Sequence, residues 1–350
     1  MKKQCLSGMR TEDFAFDLPD GLIAQQPAEP RDSARLMVLR IATQSIEHRL
    51  VRDLPELLNP GDLVVVNDTR VMAARLFGQR EDTGGAVEAL LVRPFSDVRW
   101  EVMFRPAKRA LAGRRFVFDA HGETLGATVA GRENETVILD FDRPFDPATV
   151  GAVPLPPYIH AYRGDPDRYQ TVYSREARSA AAPTAGLHFT PGLLARIESR
   201  GLQRAAVTLE VGPGTFKPVT VDDPREHHLH AEHVTVPAAA ATAITLAKSE
   251  DRRVVAVGTT VVRTLEHVAR ERGGVEPYEG WTSLRILPGD HFQVIDVLMT
   301  NFHLPRSTLL MLVCAFAGRE RVLAAYREAI AAGYRFYSYG DAMLAERRAG

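Results

Sequence analysis

Apolar residues along this chain recur with two different periods, and the change from one to the other divides it. Between 71 and 150 they alternate with polar residues in short runs at 86–92, 100–104, 115–118, 124–130 and 136–141, with Gly, Asp and Pro between the runs. A period of two in short, closely spaced segments predicts half-buried strands of a small barrel or sandwich. After Val153-Pro154-Leu155-Pro156-Pro157 the pattern changes. Helical spacing then appears at 191–200, 238–248, 260–272, 308–317 and 320–332, with Gly201, Gly273, Gly318 and Gly333 as stops. Runs at 205–211, 254–257, 284–287, 294–299 and 335–338 predict strands between these helices. The apolar run Leu63-Val64-Val65-Val66 reads as a further strand of the same sheet. Alternating strands and helices make an α/β domain. The expected architecture is a mixed-sheet α/β main domain, made of 1–70 and 151–350, with an inserted small β-barrel domain at 71–150.

Several strand ends carry polar residues that packing does not demand. Leu63–66 delivers Asn67-Asp68-Thr69-Arg70, and Val254-Val255-Ala256-Val257 delivers Gly258-Thr259-Thr260 and a helix bearing Arg263 and Glu266. Ala181-Ala182-Pro183-Thr184-Ala185-Gly186-Leu187-His188-Phe189-Thr190 ends at a helix start, with Thr190 as cap and Pro191 at the first position. Thr300-Asn301-Phe302-His303-Leu304-Pro305-Arg306-Ser307-Thr308 does the same, with Ser307 or Thr308 as cap. Strand ends that stop in Gly and polar residues are where open α/β sheets build ligand crevices. A helix N-terminus also suits a carboxylate or phosphate. Neither the dinucleotide glycine fingerprint nor the phosphate-loop pattern is present.

Composition narrows the class. The 350 residues, 45% hydrophobic and 25% charged, describe an ordinary globular protein with room for two domains. Cys5 and Cys314 are the two cysteines, so a disulfide framework is not expected. The longest apolar run, 309–317, is well short of the ~20 residues a membrane span needs. No apolar signal segment follows Met1-Lys2-Lys3, and a cytoplasmic location is expected. The net charge of −1 hides a local imbalance. From Arg70 to Arg115 basic residues outnumber acidic ones, a distribution suited either to a solvated face or to tracking a phosphate backbone.

Taken together in order, the motifs resemble one family. The matching runs include Asp13-Phe14 through Leu18-Pro19, Gly61-Asp62-Leu63 through Val71, Pro156-Pro157-Tyr158-Ile159 and Tyr169-Gln170-Thr171-Val172-Tyr173. They continue through 181–190, 208–219, His227/His230/Glu232, 256–260 with Arg263 and Glu266, 300–318 and 334–344. The chain resembles the S-adenosylmethionine:tRNA ribosyltransferase-isomerases of queuosine biosynthesis. The resemblance implies an α/β domain interrupted by a small barrel. It also implies that S-adenosylmethionine acts as a ribosyl donor. Its ribosyl part would pass to 7-aminomethyl-7-deazaguanine at the wobble position of tRNA, giving epoxyqueuosine and releasing adenine and methionine. S-adenosylmethionine is thus a co-substrate, and no prosthetic group is expected. The expected partners are tRNA and S-adenosylmethionine, with no membrane, acting on a monomer.

That chemistry specifies residue types. The sulfonium acidifies the neighbouring ribose carbon, so a base must reach it, and departing adenine needs a proton or hydrogen bonds. The residues expected to carry catalysis are His188, His230, Glu232 and His303. Those expected to hold S-adenosylmethionine are Arg70, Glu210, Gly212, Gly214, Thr215, Gly258, Thr259, Thr260, Arg263, Asn301, Ser307 and Asp341. Phosphate contacts to tRNA are expected from Arg105, Lys108 and Arg109. Two positions depart from the family pattern: Glu210 stands where the family carries His, and Ala177-Arg178 where it carries Pro-Gly. A catalytically impaired RNA- or nucleotide-binding protein on the same scaffold is the alternative, with Glu210 as its mark. The run Glu226-His227-His228-Leu229-His230-Ala231-Glu232-His233 has the composition of a zinc site. The sulfonium already supplies activation, however, so no metal is expected.

Overall fold

The computed structural model describes residues 8–120, 122–133, 136–212 and 219–347. The chain separates into two compact units, one of Met1–Thr69, Pro157–Arg175 and Ala182–Gly350, the other of Arg70–Pro156 and Glu176–Ala181.

The larger unit is built on a nine-stranded mixed sheet. Its strand order is Tyr278–Thr282, Glu232–Val236, Gln203–Leu209, Leu63–Asn67, Val254–Val257, Val297–Asn301, Ala342–Glu346, Arg35–Arg40, Ser45–Leu50. The four strands from Gln203–Leu209 to Val297–Asn301 are mutually parallel, with Ala205 opposite Val65 and Val65 opposite Ala256. Both faces of Leu63–Asn67, Val254–Val257 and Val297–Asn301 are covered, which is why these three read as near-continuous apolar runs. Leu63, Val65, Val254, Ala256 and Leu298 face one core, and Val64, Val66, Val255, Val257 and Met299 face the other.

The helices lie close to where their apolar stripes place them: Pro191–Ser199, Ala238–Ser249, Thr259–Arg272, Thr308–Ala317 and Arg319–Ala331. The Thr190 hydroxyl accepts from Leu193 N at 3.0 Å, and the Ser307 hydroxyl from Leu310 N at 3.2 Å, as their cap positions require. No helix among the described residues is long and apolar enough to cross a membrane.

Two expected strands are not strands. The 284–287 segment is irregular, and the neighbouring strand is Tyr278–Thr282. Ile286 and Leu287 are buried, but side chains take the place of a ladder. Thr282 Oγ1 accepts from Leu284 N at 3.1 Å and Asp290 Oδ2 from Leu287 N at 2.8 Å. The 335–338 segment is likewise irregular, apart from a single bridge between Ile23 and Phe336. The sheet strand there is Ala342–Glu346, which the pattern did not indicate.

The smaller unit is a closed six-stranded barrel ordered Thr136–Phe141, Arg99–Arg105, Ala86–Pro94, Arg75–Arg80, Arg115–Ala120, Glu123–Glu133. Alternate residues such as Val87, Ala89, Leu91 and Trp100, Val102, Phe104 fill its interior, together with Phe116, Phe118 and Leu139. Five of the six strands follow the alternation in the sequence. Arg75–Arg80 does not, because its pattern is interrupted by Gly78 and charged ends.

Candidate active site

Among the four adjacent parallel strands, the carboxyl ends of three open onto one pocket. Val211 follows the first of these strands, Gly258 the third and Phe302 the fourth, and all three line the pocket together with Thr259, Thr260, Thr300, Asn301 and His303. The 182–185 segment and Tyr158, Tyr337 and Ser338 also line it. Asn67, at the end of the second strand, is fully buried and ties the strand ends together. Its carbonyl accepts from Leu209 N at 3.1 Å, and its amide donates to Leu209 O at 3.1 Å and Thr260 Oγ1 at 3.3 Å. A position beyond the strand ends of an open α/β sheet is the expected place for a ligand.

Local backbone choices shape this pocket. Gly258 has φ +96°, a conformation that side-chain-bearing residues rarely adopt, and it turns strand Val254–Val257 directly into helix Thr259–Arg272. Gly186 packs so closely that a Cβ there would lie 2.0 Å from the Tyr173 hydroxyl. Tyr337 has φ +72° without being glycine, and its ring meets Tyr158 with centroids 4.1 Å apart. The Tyr158 hydroxyl hydrogen-bonds Ser338. Backbone in this unfavourable region, held by its surroundings, is common at functional sites.

Asn301 organises one side of the pocket. Its carbonyl accepts from Thr184 Oγ1 at 2.9 Å, and its amide reaches His188 Nε2 at 3.1 Å and Tyr337 O at 3.3 Å. His188 itself does not line the pocket but stands behind Asn301. It is buried, and desolvation lowers its pKa to about 4, opposed by Asp341 and assisted by the Arg335 charge. His303 does line the pocket. Its Nε2 lies 2.9 Å from Thr300 Oγ1, its backbone N–H donates to the Tyr326 hydroxyl at 3.0 Å, and burial lowers its pKa to about 3. Both imidazoles are therefore neutral at neutral pH.

The other expected residues fall into distinct places. Glu232 and Arg263 form a buried ion pair, and Glu232 Oε1 accepts from Gly212 N at 2.9 Å. Arg263 also donates to Leu284 O at 3.0 Å, which leaves its Nη2 buried without an acceptor. His230 is exposed, just ahead of strand Glu232–Val236. Glu210 Oε1 lies 3.5 Å from His233 Nδ1. Asp341 is buried away from the pocket lining, where it accepts from Arg35 N at 2.9 Å and Arg335 N at 2.8 Å. Ser307 lines the pocket as a helix cap. Arg70 belongs to the smaller unit, in a short strand paired with Ala177–Ser179. Gly214 and Thr215 lie outside the described residues. No group of three or more His, Cys, Asp or Glu among the described residues could hold a metal.

Sequence reasoning passed over Tyr158, Thr184, Tyr337 and Ser338 as site residues. The aromatic and polar run 334–341 was visible as a signal. The positive φ of Tyr337, which turns its ring toward Tyr158, was not.

In the barrel unit most basic residues are already paired: Arg75 with Glu88, Arg80 with Asp82, Arg93 with Glu101, Arg99 with Asp140, and Arg115 with Glu81 and Asp142. Arg105, Lys108, Arg109, Arg114 and Arg132 have no acidic partner among the described residues. Two of them reach the backbone that flanks Lys108: Arg132 Nη2 donates to Ala107 O at 2.8 Å, and Arg114 Nη1 to Arg109 O at 3.1 Å. The basic excess thus resolves into a paired majority and one uncompensated cluster.

The profile of the family described as queuosine biosynthesis protein matches residues 11–345. A curated relative from Symbiobacterium thermophilum, named S-adenosylmethionine:tRNA ribosyltransferase-isomerase, is 53% identical over 340 residues, covering 96% of this chain and 99% of the relative. One of the same name from Moorella thermoacetica is 51% identical over 344 residues, covering 96% and 99%. The crystal structure of S-adenosylmethionine tRNA ribosyltransferase from Thermotoga maritima is 40% identical, with a TM-score of 0.56, and the match covers 95% of this chain and 99% of that one.

Proposed function

Because the chain belongs to the family of queuosine biosynthesis proteins, we propose that the pocket at its parallel strand ends is where S-adenosylmethionine is converted. The protein is an S-adenosylmethionine:tRNA ribosyltransferase-isomerase. It transfers and isomerises the ribosyl moiety of S-adenosylmethionine onto 7-aminomethyl-7-deazaguanine in the wobble position of tRNA, and adenine and methionine leave. The observation that carries the placement is the convergence of Gly258, Thr259, Asn301 and His303 on one strand-end pocket, with Asn67 buried behind it and bonded to Thr260. No feature of the described site favours an impaired binding protein. The departure at Glu210 is accompanied by a histidine, His233, within ion-pair distance.

Roles follow from placement. His303 is the imidazole on the pocket wall, neutral and oriented by its Nε2 contact with Thr300, and it takes the proton from the ribose carbon next to the sulfonium. His188 acts through Asn301: it fixes the amide that in turn holds Thr184 and the Tyr337 carbonyl. The Glu232–Arg263 pair holds Gly212 N–H beside pocket residue Val211. His230 keeps its catalytic assignment on the resemblance alone. The uncompensated cluster of Arg105, Lys108 and Arg109, with Arg114 and Arg132, supplies phosphate contacts to tRNA. Work on a tRNA substrate supports a cytoplasmic location. The monomer reading draws support from how few large apolar side chains are exposed among the described residues, namely Phe77, Phe95, Leu111, Val172, Leu246 and Trp281.

Incubation with S-adenosylmethionine and tRNA carrying the deazaguanine precursor tests the function. Free adenine should appear only when both are present, and His303→Ala should nearly abolish it. Adenine release that is unaffected by His303→Ala would put the chemistry outside this pocket.

A further inference from the structure

The pocket lining contains no Asp, Glu, Lys or Arg among the described residues, yet two helices begin in its wall. Helix Thr308–Ala317 starts at Ser307, whose hydroxyl already accepts from Leu310 N. Helix Thr259–Arg272 starts at Gly258, which has no side chain to act in this way, and the helix has no side-chain cap. The N–H groups of its first turn are therefore open toward a pocket lined by Gly258, Thr259 and Thr260. Thr259 adds a second, independent observation. Its residue is more than nine-tenths buried, it lines the pocket, and its hydroxyl has no hydrogen-bond partner among the described residues. Uncapped N–H groups at a positive helix end call for an anionic acceptor, and the unpartnered Thr259 hydroxyl on the same pocket wall adds a donor beside them.

We propose that the 258–260 turn is an anion subsite that holds the α-carboxylate in the methionine part of S-adenosylmethionine, with the purine directed toward Tyr158 and Tyr337. This rests on the reading of the pocket as the S-adenosylmethionine site. A tRNA phosphate offers similar chemistry. The subsite nevertheless sits in a buried wall without Lys or Arg among its described residues, whereas the cationic cluster that suits phosphate lies on the barrel unit. The tyrosine pair presents aromatic surface on the same pocket, as a purine ring needs. The reacting ribose then lies between the two ends, on the wall that carries His303.

Titration calorimetry on the full chain tests this with three probes: S-adenosylmethionine, 5′-methylthioadenosine, which has the same nucleoside but no carboxylate, and tRNA. Thr259→Val removes the hydroxyl at nearly constant shape. It should weaken S-adenosylmethionine by about tenfold to a hundredfold, the cost of a hydrogen bond to a charged group, and leave 5′-methylthioadenosine and tRNA nearly unchanged. Thr259→Ser, which restores the hydroxyl, should recover the affinity for S-adenosylmethionine and so exclude a folding defect. Unchanged S-adenosylmethionine affinity, or equal weakening of both nucleosides, overturns the subsite. Weakening of tRNA alone assigns the turn to a phosphate and overturns it equally. A wild-type protein that binds neither nucleoside would instead overturn the pocket reading on which the subsite depends.

Discussion

Replacing His188 with Gln should flatten the acid limb of the stability curve. His188 is buried, with Nε2 accepting from Asn301 Nδ2 at 3.1 Å and a backbone hydrogen bond to Arg31. Desolvation is the main cause of its low pKa, about 4, from an ordinary 6.5; the Asp341 charge opposes the shift, and the Arg335 and Arg31 charges add to it. Below pH 6.5 the unfolded chain binds a proton there, and the native chain does not until pH falls to about 4. The unfolded state thus binds more protons in that window, so stability falls as pH falls. The stabilisation of the neutral ring is fully present above the unfolded pKa and is lost progressively below it. Each pH unit inside the window is worth ~1.4 kcal/mol, so wild type loses about 2 kcal/mol through this one group between neutral pH and about pH 5. Gln cannot titrate. Whatever His188→Gln costs at neutral pH, the deficit relative to wild type should shrink by about 2 kcal/mol at about pH 5. Urea unfolding followed by helical circular dichroism reads the larger unit, which contains every described helix longer than one turn. A wild-type–variant difference that stays constant over this range would refute the buried neutral imidazole.

Three further outcomes follow from the same geometry. Glu232→Gln leaves the Arg263 guanidinium buried without its counter-charge and should cost about 3–5 kcal/mol of stability, measured by urea unfolding. A cost below about 1 kcal/mol would mean the pair is solvated. Charge reversal of Arg105, Lys108 and Arg109 together should weaken tRNA binding and reduce its salt slope by about one for each phosphate no longer neutralised, with S-adenosylmethionine affinity unchanged. An unaltered slope in filter binding would show that the tRNA docks elsewhere. His188→Ala, which releases the Asn301 amide, should lower turnover, and His230→Ala, through its acid–base assignment, should lower it by roughly 10²–10⁴. Normal turnover in His230→Ala would remove that exposed residue from the mechanism.

Much of the fold was legible because local signals and tertiary packing agree. Thr190-Pro191 and Ser307 mark helix starts that the structure caps through those same hydroxyls. Val254–Val257 is apolar throughout because both of its faces are buried. The errors have a common physical cause. Apolar runs at 284–287 and 335–338 look like strands, but carboxylates and hydroxyls replace the ladder. Glu266 accepts from Gln293, Val294 and Ile295 N–H groups in the loop beyond the first run, and Asp341 accepts from Arg335 N in the second. Conversely, Ala342–Glu346 is a run of helix-favouring residues held as a strand between Val297–Asn301 and Arg35–Arg40. Asp341 looks like a site residue in sequence for a similar reason: an isolated acid in a conspicuous loop carries no mark of the backbone amides it will accept from. At the pocket, Gly258, Thr259 and Asn301 were visible as strand-end residues. Tyr158 and Tyr337 were not, since their meeting depends on a backbone conformation that side-chain-bearing residues seldom adopt.

The placement of S-adenosylmethionine is most directly tested by a crystal structure of the full chain with that co-substrate. The nucleoside should occupy the pocket of the larger unit, its purine against Tyr337 and Tyr158, its ribose facing His303 and its carboxylate at the Thr259 turn. Density for S-adenosylmethionine on the barrel unit, or in the larger unit away from the strand ends of Val254–Val257 and Val297–Asn301, would contradict the account.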